Sequence, residues 1–151
     1  HARICEFPVE LSVARRARQL GMQVVVGATN VLMGRSHSNN LSALEAVQAG
    51  CADILVSDYF PAAILHAVFQ LKERGLLTLP EAVNMATYNP ARAVMVEDRL
   101  GSIEPGKCAD LLLVSKKGPI PVILSAFING EEVATLHYRN DFIGDNGVRY
   151  D

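Results

Sequence analysis

The chain has 151 residues, 20% of them charged and 50% apolar, with a formal net charge of −2. A chain of this length buries a real core, but a complete (β/α)8 barrel takes at least ~200 residues, so it cannot form one alone. No basic stripe is present to neutralise nucleic-acid phosphates, and no apolar run reaches the ~18–20 residues that span a bilayer.

Strands and helices alternate from the start. Arg3 to Phe7 reads as a strand stopped by Pro8. It begins without lead-in, and the first residue is His1 rather than Met; the expectation is that the N-terminal part of a longer protein is absent. No signal peptide is expected from the opening residues as given. Glu10 to Leu20 places Leu11, Val13, Ala14, Ala17 and Leu20 at a helical period, and Gly21 ends it. Met22 to Val26 is a nearly continuous apolar, valine-rich run, the mark of a strand buried on both faces. A polar loop follows from Gly27 to Asn40. Leu41 to Ala49 is a second helix with Gly50 as its stop, Ala52 to Val56 a third strand, and Pro61 to Arg74 a third helix.

Three strand–helix units in succession imply parallel strands with helices packed outside them. In a barrel or an open doubly wound sheet alike, the loops after the strands form the functional face. Leu79 to Tyr88 and Asn89 to Ala93 are helical, each with a proline near its start. A turn-rich stretch, Gly101 to Lys107, leads into strands at Ala109 to Val114, Val122 to Asn129 and Glu132 to Tyr138. Asn129-Gly130 is a hairpin signal. The tail from Arg139 to Asp151 is polar. Cys5, Cys51 and Cys108 are odd in number and scattered, which fits small apolar side chains in a reducing, cytoplasmic compartment.

Several motifs now stand together. Tyr88-Asn89-Pro90-Ala91-Arg92-Ala93, the run from Gly101 to Leu111, and a strand ending at Asn129-Gly130 resemble the C-terminal end of the amidohydrolase superfamily. In that superfamily a metal-bearing barrel is followed by the rest of a small β-sandwich. Glu6-Phe7-Pro8, Gly27-Ala28-Thr29-Asn30, the loop Gly34 to Asn40 and Ser57-Asp58-Tyr59 resemble its phosphonate-metabolism branch in order and spacing. The resemblance implies hydrolysis of α-D-ribose 1-methylphosphonate 5-triphosphate to the 5-phosphate and pyrophosphate. It implies an α/β fold: the C-terminal part of a metal-dependent-hydrolase TIM barrel, three βα units, plus part of a small β-sandwich. The expected divisions are 1–97 for the barrel units and following helices, 98–138 for the sandwich part and 139–151 for the tail. It also implies a divalent metal (zinc, manganese or iron) with most ligands in the absent N-terminal part.

Asp58 directly follows a buried strand. A carboxylate there can bind a metal and accept a proton from metal-bound water, or it can cap the helix beginning at Pro61. In the family the Asp after the last barrel strand is catalytic, so the resemblance implies that role for Asp58. The loop residues Arg35, Ser36, His37, Ser38 and Asn40 lie ahead of a helix. Free N–H groups and a forked guanidinium suit phosphate oxygens, though a solvated loop with an Asn or Ser cap has the same composition. His37 could donate to phosphate, act as a general acid or ligate metal. Asn30, past the second strand, points to the same mouth in a barrel. Glu6 ends the first strand and could touch metal or substrate, or pair with an arginine such as Arg35. His66, among apolar neighbours in a helix, reads as structural.

The expected partner is thus a phosphorylated small molecule, with no nucleic acid and no membrane. Open sheet edges and apolar faces also predict a homo-oligomer or pairing with the missing barrel half. The alternatives are an amidohydrolase cleaving a C–N bond (a deacetylase or cyclic amidase) and a non-catalytic oligomerising fragment. The polar loop Arg35 to Asn40 suits a polyanion better than a neutral amide.

Overall fold

The computed structural model describes residues 2–34, 40–117 and 120–138. The chain divides into two compact units, His1–Cys108 and Ala109–Asp151. The expected boundary at 97/98 therefore moves to 108/109. The turn-rich stretch belongs to the first unit because Cys108 N donates to Arg99 O at 2.9 Å and Gly101 is packed against the helix that precedes it.

The first unit runs β1 (Ile4–Glu6), α1 (Leu11–Gln19), β2 (Gln23–Gly27), α2 (Ala28–Met33), α3 (Ala43–Gln48), β3 (Ile54–Val56), α4 (Ala63–Glu73), α5 (Leu79–Asn84) and α6 (Tyr88–Ala93). The strands form a parallel sheet in the order β1-β2-β3. Ile4 pairs with Gln23, and Val25 with Ile54. β2 carries valines on both of its faces, as its composition foretold. Val24 and Val26 join the main core with Ala14, Ala17, Val31, Ala67 and Leu71, while Val25 packs on the opposite face with Ile54 and Ala93.

One element departs from the sequence reading. The segment from Gly27 to Asn40 is not all loop, because Ala28 to Met33 forms α2. Ala28 and Val31 are one turn apart and fully buried, and α2 packs against α4. That burial outweighs the polar character of Thr29 and Asn30. Gly34, at φ +71°, ends the helix in the left-handed conformation glycine adopts without strain.

α6 is fastened at the end of the sheet away from the strand C-termini. Asn89 Nδ2 donates to Asp53 O at 2.7 Å, just before β3 begins. Asp53 Oδ2 in turn accepts from Val24 N at 2.9 Å, Asp53 N donates to Val24 O, and Arg18 of α1 approaches Asp53 Oδ1 at 3.5 Å. A Cβ on Gly101 would stand 2.7 Å from Ala91 Cβ and 3.0 Å from Thr87 O. The motif Tyr88 to Ala93 with its downstream glycine is therefore an anchor, not chemistry.

The second unit is an antiparallel sheet of β4 (Leu111–Lys117), β5 (Ile120–Ile128) and β6 (Glu131–Thr135). Asn129 and Gly130, at φ +51° and +83°, make the tight turn between β5 and β6. Asp110 Oδ1 accepts from Asn129 N at 2.8 Å and steadies that turn.

Candidate functional site

Parallel strands carry their C-terminal ends to one side, and a pocket of about 200 Å3 opens there. Phe7 and Pro8 reach it from the end of β1, Val26 and Gly27 from β2, and Thr29 and Asn30 from α2. Asn40, Leu41 and Ala43 come from the start of α3, and Asp58 and Tyr59 from the end of β3.

Asp58 lies in the left-handed region at φ +55°. A non-glycine residue there is uncommon, and aspartate is among the few that tolerate it. The turn is closed by Phe60 N donating to Ser57 O at 3.1 Å. Helix capping does not explain Asp58. The N-cap of α4 is Ala62, and it has no side-chain cap bond. The carboxylate instead lines the pocket, and it is the one charged group among the described residues that do.

Asn30 has a defined structural task. Its Oδ1 accepts from Ala43 N at 3.0 Å, tying α2 to the first turn of α3. Ser42, the N-cap of α3, accepts from Glu45 N. Two of the amides expected to be free for an anion are therefore occupied within the chain. Asn40 lines the pocket, whereas Arg35, Ser36, His37 and Ser38 lie outside the described residues.

The structure brings together Asn30, Asn40 and Asp58, but not Glu6. Glu6 is exposed on β1 and absent from the described lining. The backbone turns left-handed at the next residue, Phe7 (φ +49°), which presents the aromatic ring in place of the carboxylate. The sequence reading missed Phe7, Pro8, Thr29, Leu41 and Tyr59. An aromatic immediately before a proline at a strand end was the available signal for Phe7. His66 sits half-buried in α4, away from the pocket lining.

A divalent metal would ordinarily take three or more protein ligands. Among the described residues no three His, Cys, Asp or Glu come close enough to hold one. Asp58 supplies one oxygen donor, and the Oδ1 of neighbouring Asn30 is already engaged. The described residues therefore do not fit a metal by themselves. No described helix is long and apolar enough to cross a membrane.

The amidohydrolase family model matches residues 4–139. The chain is 46% identical over 116 residues to alpha-D-ribose 1-methylphosphonate 5-triphosphate diphosphatase of Escherichia coli K12, covering 76% of this chain and 30% of that protein. It is 32% identical over 91 residues to imidazolonepropionase of Picrophilus torridus, covering 52% and 23%. Among solved structures, an amidohydrolase from Thermotoga maritima superposes with a TM-score of 0.69 at 24% identity, over 88% of this chain and 37% of that one. The chain thus spans well under half the length of each of these relatives. The fold they share is the mixed α/β, TIM-barrel type of hydrolases. With the family pattern running through both units and the fold matching over most of its length, the chain belongs to the amidohydrolase family.

Proposed function

We propose that this chain is part of a metal-dependent hydrolase of phosphonate metabolism. It acts on α-D-ribose 1-methylphosphonate 5-triphosphate, giving the 5-phosphate and pyrophosphate. The observation that carries the reading is the 46% identity to the Escherichia coli diphosphatase over 76% of this chain. The first unit then corresponds to three βα units of a barrel, the second to part of a small β-sandwich, and 139–151 to a tail.

The reaction breaks one phosphoric anhydride. Water oxygen bonds to phosphorus, the bond to the pyrophosphate oxygen breaks, and a proton must leave the water. Asp58 is the described pocket carboxylate able to take that proton. Arg35, Ser36, His37 and Ser38 are assigned to the substrate's phosphates on the chemistry of their side chains, with Asn30 and Asn40 beside the reacting end. Glu6 is set aside from the site. Family members in general depend on a divalent metal, which supplies a water of lowered pKa. Asp58 would be one of its ligands, and the others would come from outside the described residues. Free thiols at Cys5, Cys51 and Cys108 support a place in the cytoplasm. Pairing of this sheet with further barrel strands or with a second copy goes with the same reading.

The test is pyrophosphate release from the triphosphate by the intact protein, assayed beside amide and cyclic amide substrates. Hydrolysis of a C–N bond without pyrophosphate release would sink the reading.

A further inference from the structure

We infer that Asn30 is a positioning residue for the substrate's phosphates. Its side chain holds α2 and α3 at a fixed spacing, and with them the two ends of the segment that carries Arg35, Ser36, His37 and Ser38. The inference rests on the phosphonate-hydrolase reading, which assigns those residues to the phosphates, and adds to it what holds their segment.

The segment leaves α2 at Gly34 and enters α3 at Ala43. Asn30 is bonded to both ends. Its main-chain O accepts from Gly34 N at 3.0 Å, closing the last turn of α2. Its Oδ1 accepts from Ala43 N at 3.0 Å, across 13 positions of sequence. Leu41 N donates to Val9 O at 2.8 Å, so the returning end is tied to the stretch after β1 as well.

Each helix is anchored on its own inner face. Ala28 and Val31 of α2 and Ala46 of α3 are fully buried, and Ala43 is nearly so. The Asn30 side chain spans from one helix to the other. Asparagine is a poor helix former, and this bond gives it a task within α2. Capping of α3 is not a sufficient account of it. Ser42 already serves as the N-cap of α3, its Oγ accepting from Glu45 N at 3.1 Å. A cap from the helix's own chain steadies that helix. A bond arriving from α2 also sets where α3 stands relative to it.

A triphosphate carries several anionic groups at set separations, so its donors must be held at matching ones. Charge-assisted hydrogen bonds are directional and weaken when misaligned. The phosphates are charged in the ground state and the transition state alike, so a misplaced segment raises KM more than it lowers kcat. Asp58 stands at the end of β3, outside this tie.

The test is steady-state pyrophosphate release by the intact protein, with urea unfolding of each variant alongside. Asn30→Ala removes the acceptor. Ala43→Pro removes the donor at the first helical position, where proline is tolerated, so the bond is cut from either side and one folded variant suffices. Either is expected to raise KM about tenfold, the low end for a charge-assisted hydrogen bond, with kcat within about threefold of wild type. Ser42→Ala weakens the cap of α3 and leaves the tie in place, so its KM should stay within about twofold of wild type. An Arg35→Ala background separates positioning from contact. An Asn30 that acts through the segment has a smaller effect there, below about threefold, whereas one that touches phosphate keeps its full effect. An unchanged KM, a rise shared by Ser42→Ala at equal loss of stability, or an undiminished effect in the Arg35→Ala background would overturn the inference and leave the hydrolase reading standing. Wild-type protein that releases no pyrophosphate would overturn both.

Discussion

Replacing Asp58 by asparagine separates chemistry from folding at one position. The residue sits at φ +55°, where most side chains are strained. Asparagine, like aspartate, visits that region readily and has nearly the same volume. Asp58→Asn should therefore shift unfolding free energy by less than ~0.5 kcal/mol, the range of a surface substitution. Alanine at the same position should lose about 1 kcal/mol or more, since it lacks that tolerance. Activity should behave differently. Loss of a general base lowers kcat by ~10²–10⁴-fold, a barrier increase of roughly 2.7–5.5 kcal/mol. The substrate's phosphates are assigned to Arg35, Ser36, His37 and Ser38, so KM should stay close to wild type. The assay is steady-state pyrophosphate release by the intact protein, with urea unfolding of both variants alongside. If Asp58→Asn retains more than about a tenth of wild-type kcat, under ~1.4 kcal/mol of barrier, Asp58 is not the proton acceptor and the reaction centre lies elsewhere.

Gly101→Ala should cost about 2–5 kcal/mol, summing an overpacked contact and a strained φ of +91°. Urea denaturation measures it, and a loss under ~1 kcal/mol would mean that α6 shifts freely away. The start of α5 should be acid-sensitive. Hydrogen bonds from the Thr78 side chain and backbone hold the Glu81 carboxyl below its ordinary range. Its contribution is therefore full above the ordinary glutamate value and is lost as pH falls through the lowered one. Glu81→Gln should flatten that part of the stability–pH curve, and an unaltered curve would remove Glu81 from the account. The 151-residue chain by itself should release no pyrophosphate, because its described residues bring one carboxylate to the pocket and no metal site. Turnover near that of the intact protein would contradict this. The same chain should self-associate, since β1 and β3 each leave an edge unpaired among the described residues. A single monomer in sedimentation at high micromolar concentration would refute it.

The βα alternation was legible because valine-rich strands and small-residue helices carry different periods. The position of Asp58 was legible too, since it follows a buried run. Its left-handed backbone was not, because aspartate is equally at home as a helix cap. α2 was hidden by the turn-forming residues Gly27, Asn30 and Gly34, which weighed more in the sequence than the buried pair Ala28 and Val31. Glu6 and Phe7 exchanged roles for a reason invisible in one dimension. The strand's last regular residue faces outward, and the pocket is lined by the residue at which regularity breaks. The role of Asn89 was equally hidden, since its partner is a main-chain carbonyl 36 positions away.

The fastening around Asp53 and the pocket around Asp58 lie at opposite ends of β3. Asp53, Asn89 and Gly101 tie α1, β2, β3 and α6 together and are not among the described residues lining the pocket. Substitutions at Phe7, Asn40 or Tyr59 leave those ties intact. Directed evolution toward a new substrate can therefore vary Phe7, Asn40 and Tyr59 while positions 30, 53, 89 and 101 are held fixed, and libraries that randomise both sets together should yield mostly unfolded variants.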